Sequence, residues 1–122
     1  MPYAYRKSER IRKNSEFVSV MKGKRLSIDG LSLFYTRNDT GNFRVGISVS
    51  KKLANAVGRN RLKRLIRACL MNILQGRSSG YDLVLVARRG LATAGYEQIH
   101  KTVETALQRT ALRGRKTEGT AP

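Results

Sequence analysis

Along the chain the spacing of apolar residues changes several times, and each change marks an element. Phe17, Val20 and Met21 recur at i, i+3 and i+4, one face of a short helix. Asn14 or Ser15 caps its start, and Gly23 stops it. The period then falls to two. Leu26 and Ile28 alternate with Ser27 and Asp29, and Asp29-Gly30 signals a tight hairpin. Leu31, Leu33 and Tyr35 alternate with Ser32, Phe34 and Thr36 in a second strand. A polar turn spans 38–42. A third strand sets Val45, Ile47 and Val49 against Arg44, Gly46 and Ser48.

After a loop over 50–57 the helical period returns. Leu62, Leu65, Ile66, Cys69, Leu70, Ile73 and Leu74 share one side of a helix running from about Gly58 to Gln75. Gly76 to Gly80 breaks it. Tyr81 to Ala87 is a nearly continuous apolar run, as in a central strand covered on both faces. A last helix over about 92–112 carries Tyr96, Ile99, Val103 and Leu107 on its apolar side. The order α-β-β-β-α-β-α predicts an α+β fold, a four-stranded sheet with helices packed on it. Residues 1–112 read as one domain. Residues 1–13 read as a flexible basic segment and 113–122 as a disordered tail. A chain of 122 residues suits a single domain that buries a core without staples.

Charge changes the picture more than size does. There are 25 Lys and Arg against 8 Asp and Glu, a net charge of +17. Such an excess on a small body calls for a polyanionic partner, and nucleic acid is the first candidate. No apolar stretch approaches the ~20 residues needed to span a bilayer, so no membrane partner is expected. Met1 to Lys13 lacks the apolar run of a secretory signal, and Cys69 is the single cysteine; both fit a reducing cytoplasm. Between Asp39 and Asp82 there is no acidic residue. That stretch holds Arg44, Lys51, Lys52, Arg59, Arg61, Lys63, Arg64, Arg67 and Arg77, so ion pairing within it is excluded.

The densest part of this block is the long helix. Lys63, Arg64 and Arg67 lie opposite its apolar stripe, Arg61 flanks it, and Arg59 with Asn60 occupies the first turn. Lys51, Lys52, Asn55 and small residues precede it, where a helix N-terminus offers free N–H groups to phosphate. A solvated amphipathic helix would ordinarily carry Glu for i,i+4 pairs, and this one has none.

The run Arg44-Val45-Gly46-Ile47-Ser48-Val49-Ser50-Lys51-Lys52, then Asn55-Ala56-Val57, then Arg59-Asn60-Arg61-Leu62-Lys63-Arg64-Leu65-Ile66-Arg67 resembles the signature block of the bacterial ribonuclease P protein family. The likeness extends over about 7–112. It implies a left-handed β-α-β crossover of the kind named for a ribosomal-protein domain; the general rule alone would give a right-handed one. It implies that Lys51, Lys52, Asn55, Arg59, Asn60, Arg61, Lys63, Arg64 and Arg67 contact a catalytic RNA. It further implies a cleft between the first helix and the sheet for the single-stranded 5′ leader of precursor tRNA, with Phe17, Met21, Phe34 and Tyr35 as counterparts. Met21 stands where the family often has an aromatic, leaving thioether–base contact instead of stacking. The RNA would hold the Mg²⁺, with none bound by the protein alone, and the protein would be monomeric apart from the RNA. Phe34 and Tyr35 alternate on their strand, so one of them is core. Phe17 suits either core packing or leader contact, and Tyr3 and Tyr5 either disorder or stacking.

Chemistry by the polypeptide itself is not expected. Glu9, Glu16, Asp29, Asp39, Asp82, Glu97, Glu104 and Glu118 form no cluster in sequence that would hold a metal or activate water. His100 reads as a helix-face residue and Cys69 as inert core. No catalytic residue and no metal ligand is therefore assigned. The expected function is that of a non-catalytic subunit assisting an RNA enzyme in removing the 5′ leader. A ribosomal or ribosome-assembly RNA binder is the alternative of the same size, charge and pattern. A stand-alone nuclease and a DNA-binding regulator rank below both.

Overall fold

The computed structural model describes residues 7–110 and 115–116. Helix α1 spans Asn14–Met21, and strands β1, β2 and β3 span Lys24–Ile28, Leu31–Arg37 and Arg44–Val49. Helix α2 spans Ala56–Leu74, β4 spans Arg77–Ser78, β5 spans Tyr81–Ala87 and α3 spans Tyr96–Arg109. A two-residue strand β6, Arg115–Lys116, pairs antiparallel with β4. It is the only described part of the segment expected to be a disordered tail.

One sheet in the order β1-β2-β5-β3 organises the rest. β1, β2 and β5 are successively antiparallel, while β3 runs parallel to β5 and reaches it through α2, the expected β-α-β unit. The β1–β2 hairpin closes at Asp29 and Gly30, whose φ of 45° and 84° are the two positive values a two-residue turn of type I′ requires. Gly30 is needed there twice over, because a Cβ would lie 2.8 Å from the backbone of Gly90. β5 is central and buried on both sides. Leu83, Leu85 and Ala87 face α2 and α3 in the main core, and Val84 and Val86 face α1 in a smaller one.

The main core draws Leu62, Ile66, Cys69, Leu70, Ile73 and Leu74 from α2 and Ile99, Val103 and Leu107 from α3, matching the predicted stripes. Several boundaries move; α2 begins at Ala56, and α3 ends at Arg109. α3 begins at Tyr96 rather than near 92, because the chain first makes a short 3₁₀ turn over Arg89–Leu91 that drops Leu91 and Ala94 into the core. Tyr96 itself is exposed, not part of the apolar side. At α1 the cap is Lys13, and Asn14 is already helical.

Part of the segment expected to be flexible is built into the fold. Lys7–Glu9 form a 3₁₀ turn, Ile11 is buried, and the Ile11 N–H donates to the Val45 carbonyl at 2.9 Å. The single aliphatic side chain in a run of cations is the reason: Ile11 joins Val20, Phe34, Val84 and Val86 under α1. Tyr3 and Tyr5 lie outside the described residues.

Candidate nucleic-acid interface

The nine predicted RNA contacts lie on the loop before α2 and on the N-terminal part of α2, and they are not equivalent. Lys51 and Lys52 are exposed on a turn closed by the Lys52 N–H on Ser50 Oγ, 3.1 Å, and the Leu53 N–H on the Ser50 carbonyl, 3.0 Å. Asn55 is the N-cap of α2, its Oδ1 accepting the Gly58 N–H at 2.8 Å. The helix terminus offered as a phosphate site is thus partly satisfied by its own chain, and the first role of Asn55 is to start the helix. Arg59 lies back on the loop, Nη1 donating to the Ala54 carbonyl at 3.0 Å.

Arg61 departs most from expectation. Its Nη2 donates to the carbonyl of buried Ala94 at 2.7 Å, clasping α2 to the segment before α3. Arg67 is half-buried with its Nε out of solvent, so it is not a freely solvated cation. Asn60 and Arg64 are exposed and Lys63 half-buried. The side chains of Lys51, Lys52, Lys63 and Arg64 make no ion pair among the described residues.

The acids lie elsewhere. Arg44 bonds Glu16 of α1 and, at 3.5 Å, Asp82 of β5, which also accepts from Asn38 Nδ2 at 2.8 Å. The hydrogen bond from Arg44 is the main cause holding the Glu16 carboxyl below its ordinary pKa, and the same bond raises that of Arg44. Glu97 and Glu104 sit on α3. The loop over 50–55 and the α2 face are therefore positive without local compensation, the condition under which phosphates are drawn to a surface.

Beside this face runs a groove of about 340 Å³ between α1 and the β3 edge. Asn14, Phe17, Val18 and Met21 form its α1 wall, and Ile47–Val49 with Lys63 the other, with Arg12 at the rim. Val18 and Met21 are 44% and 41% exposed, an apolar strip left open to solvent. The Phe17 ring lies over Gly46, where a Cβ would meet its Cζ at 2.7 Å. Lys63 belongs to both surfaces, so groove and cationic helix are continuous.

Of the predicted cleft residues, Phe17 and Met21 line this groove; Phe34 and Tyr35 do not. Phe34 is 6% exposed, beneath α1 with Val20 and Val84. Tyr35 points to the opposite side of the sheet, against the main core, its ring 6.4 Å from that of Tyr81. Alternation along β2 separates the two, and α1 covers the one on its side. Sequence reasoning does not assign Arg12, Asn14, Val18 and Ser48 to the groove; Asn14 and Val18 carry a signal, since 14, 17, 18 and 21 share one helical stripe.

His100 and Cys69 take the plain roles expected of them. His100 Nε2 is 2.8 Å from Asn72 Oδ1 on the outer helix surface. Cys69 is buried, and desolvation pushes its thiol up to about 11.

The fold is shared with known proteins. A family model described as Ribonuclease P matches residues 5–111. A Bacillus cereus ribonuclease P protein component is 34% identical over 110 residues, spanning 88% of this chain and 96% of its own. One from Bacillus anthracis is 36% identical, with 88% and 92% covered. The structure of the Staphylococcus aureus RNase P protein superposes with a TM-score of 0.80 at 32% identity, covering 88% of this chain and 100% of that one. That of Thermotoga maritima gives 0.75 at 26% identity, with 83% and 96% covered.

Proposed function

The chain belongs to the ribonuclease P protein family and is a protein component of that endoribonuclease, partnered with its RNA; we propose that it docks on the RNA through α2 and the loop before it, and holds the 5′ leader of precursor tRNA in the α1–β3 groove. The observation that carries this reading is the continuity at Lys63 of an acid-free cationic helix with a groove whose wall is apolar. Cations track a sugar-phosphate backbone, while Phe17, Val18 and Met21 give unstacked bases an apolar surface at ~1–3 kcal/mol per stacked base, less where the wall is aliphatic.

Precursor and product tRNA differ in the leader, so a groove that binds it favours precursor. The cations lower the repulsion between two polyanions, which reduces the Mg²⁺ concentration the assembly needs. The reading assigns Mg²⁺ chiefly to the RNA. Among the described residues, no three or more His, Cys, Asp and Glu side chains form a group that could hold a metal ion. The polypeptide positions and binds; cleavage belongs to the RNA. The reading includes a monomeric protein working in the cytoplasm, where the lone buried thiol of Cys69 needs no partner.

The test is single-turnover cleavage of a leader-bearing precursor by the matching RNA at low Mg²⁺, with and without protein. A large increase with protein, and none with protein alone, is expected. No increase from a folded protein, with an RNA active at high Mg²⁺, refutes the proposal.

A further inference from the structure

The sheet face that carries the groove does not end at α1. One register row crosses it from edge to edge: Ser48 on β3 pairs with Val86 on β5, Val86 with Ser32 on β2, and Ser32 with Ser27 on β1. Ser48 lies in the groove. Three interstrand spacings away, about 14 Å, the row ends at a second depression of about 440 Å³, lined by Arg25, Ser27, Ser32 and Arg88 beside the hairpin turn.

The side chains there are wired together. Arg88 Nε donates to Ser32 Oγ at 3.1 Å, and Ser32 Oγ lies 3.1 Å from Ser27 Oγ. Ser32 accepts from Arg88 and shares a hydrogen bond with Ser27 in which either hydroxyl can be the donor. Ser32 is 2% exposed, a buried hydroxyl spent on aligning its neighbours. The Arg88 backbone is held as well, its N–H on the Gly30 carbonyl at 2.7 Å. Arg25, two residues before Ser27 and so on the same face, has no ion-pair partner among the described residues. The one carboxylate at the rim is Asp29, which pairs with neither arginine. Cations on an edge strand also discourage strand addition, but that role needs no relay through a buried serine.

Two guanidinium groups beside the exposed Ser27 hydroxyl make a donor-rich set, which suits a ligand that only accepts. We propose that Arg25, Ser27, Ser32 and Arg88 form a second subsite that binds a backbone phosphate of single-stranded RNA, extending the strand's path from the groove across the sheet to β1. The inference rests on the reading of the groove as the leader site. The phosphate it takes lies farther along the same strand than the nucleotides in the groove.

The test is equilibrium binding of precursor tRNAs with no leader, a short leader and successively longer leaders to the reconstituted holoenzyme. Affinity is expected to rise in two steps. The second, about three- to fivefold as for one partly exposed ion pair, comes when the leader reaches the subsite. Arg25→Gln removes the second step and leaves the first, with unfolding unchanged; Ser27→Ala shrinks it. An uncharged methylphosphonate at the critical linkage produces the same loss, to which Arg25→Gln adds nothing. A second step that survives Arg25→Gln, or none in the wild type, overturns the subsite. If leaderless and short-leader RNAs bind alike, the groove reading fails instead. The subsite is then decided by inorganic phosphate: amide NMR shifts centred on Ser27, Ser32 and Arg88 that vanish in Arg25→Gln uphold it, and their absence rejects it.

Discussion

Replacing Gly46 with alanine puts a carbon 2.7 and 2.8 Å from two ring atoms of Phe17 and 3.2 Å from Ile11 Cβ. Carbon atoms do not approach to 2.7 Å, so something must move. Ile11 is buried and yields by a few tenths of an ångström at most, whereas Phe17 is half-buried and its ring can swing toward the groove. Overpacking a core costs ~1–3 kcal/mol, and the open side of Phe17 sets this case at about 1–2 kcal/mol. For a domain of this size that is a fall in Tm of about 5–10 °C. The displaced ring also occupies the space assigned to the leader, so precursor affinity should drop while affinity for leaderless tRNA holds. Adding Phe17→Leu to Gly46→Ala removes the clash. The pair should therefore couple favourably by at least about 0.5 kcal/mol in urea unfolding, beyond the error of simple additivity. Unchanged stability of Gly46→Ala together with zero coupling would refute the placement of Phe17 over β3, and the wall of the groove with it.

The cations of α2 should separate by their bonds. Arg61→Ala, which orphans the Ala94 carbonyl, should cost about 1–2 kcal/mol in urea unfolding. Arg64→Ala should stay within about 0.5 kcal/mol yet weaken RNA binding. Asn55→Ala should lose about 1 kcal/mol through the cap, with a parallel loss of helical circular dichroism. If about five cations meet phosphates, log affinity against log salt should have a slope of roughly −3.5 to −4.5; a flat dependence would remove the electrostatic account. Glu16 has a lowered carboxyl pKa in the fold, so its pairing with Arg44 stabilises above the unfolded value and is lost as pH falls through the folded one. Glu16→Gln should flatten that acid limb in a pH series of unfolding, modestly, because the pair is partly solvated.

What the sequence made legible, and what it did not, follows from where each signal resides. The stripes of α2 and α3, the Asp29-Gly30 turn and the buried run of β5 are local patterns, each written in consecutive residues. They were read correctly, apart from helix ends. Ile11 gives no such signal, because a single aliphatic residue in a basic run has no period; only the neighbouring strand, brought there by the fold, gives it somewhere to go. The same limit governs the site. That the stretch from 51 to 67 is basic and free of acids was visible, and an acid-free block cannot pair within itself. That Asn55 caps, Arg59 and Arg61 bond carbonyls, and Lys63 borders the groove depends on partners at Gly58, Ala54, Ala94 and Met21, which charge patterning does not register.

Phe34 and Tyr35 make the point most sharply. Alternation established that they oppose each other and that one must be core, but burial depends on what lies above each face. Here α1 sits on Phe34 and the main core takes Tyr35, so both are packed. The open apolar surface passes instead to Val18 and Met21, on the helix that did the covering. The glycine at 46 completes the exchange: by leaving β3 bare it lets the Phe17 ring approach the strand while its stripe-mates stay exposed. The groove proposed for the leader therefore depends on the small residues of β3 as well as on Phe17. Substitutions at Gly46 and Ser48 should accordingly change leader binding as much as substitutions at Met21 do.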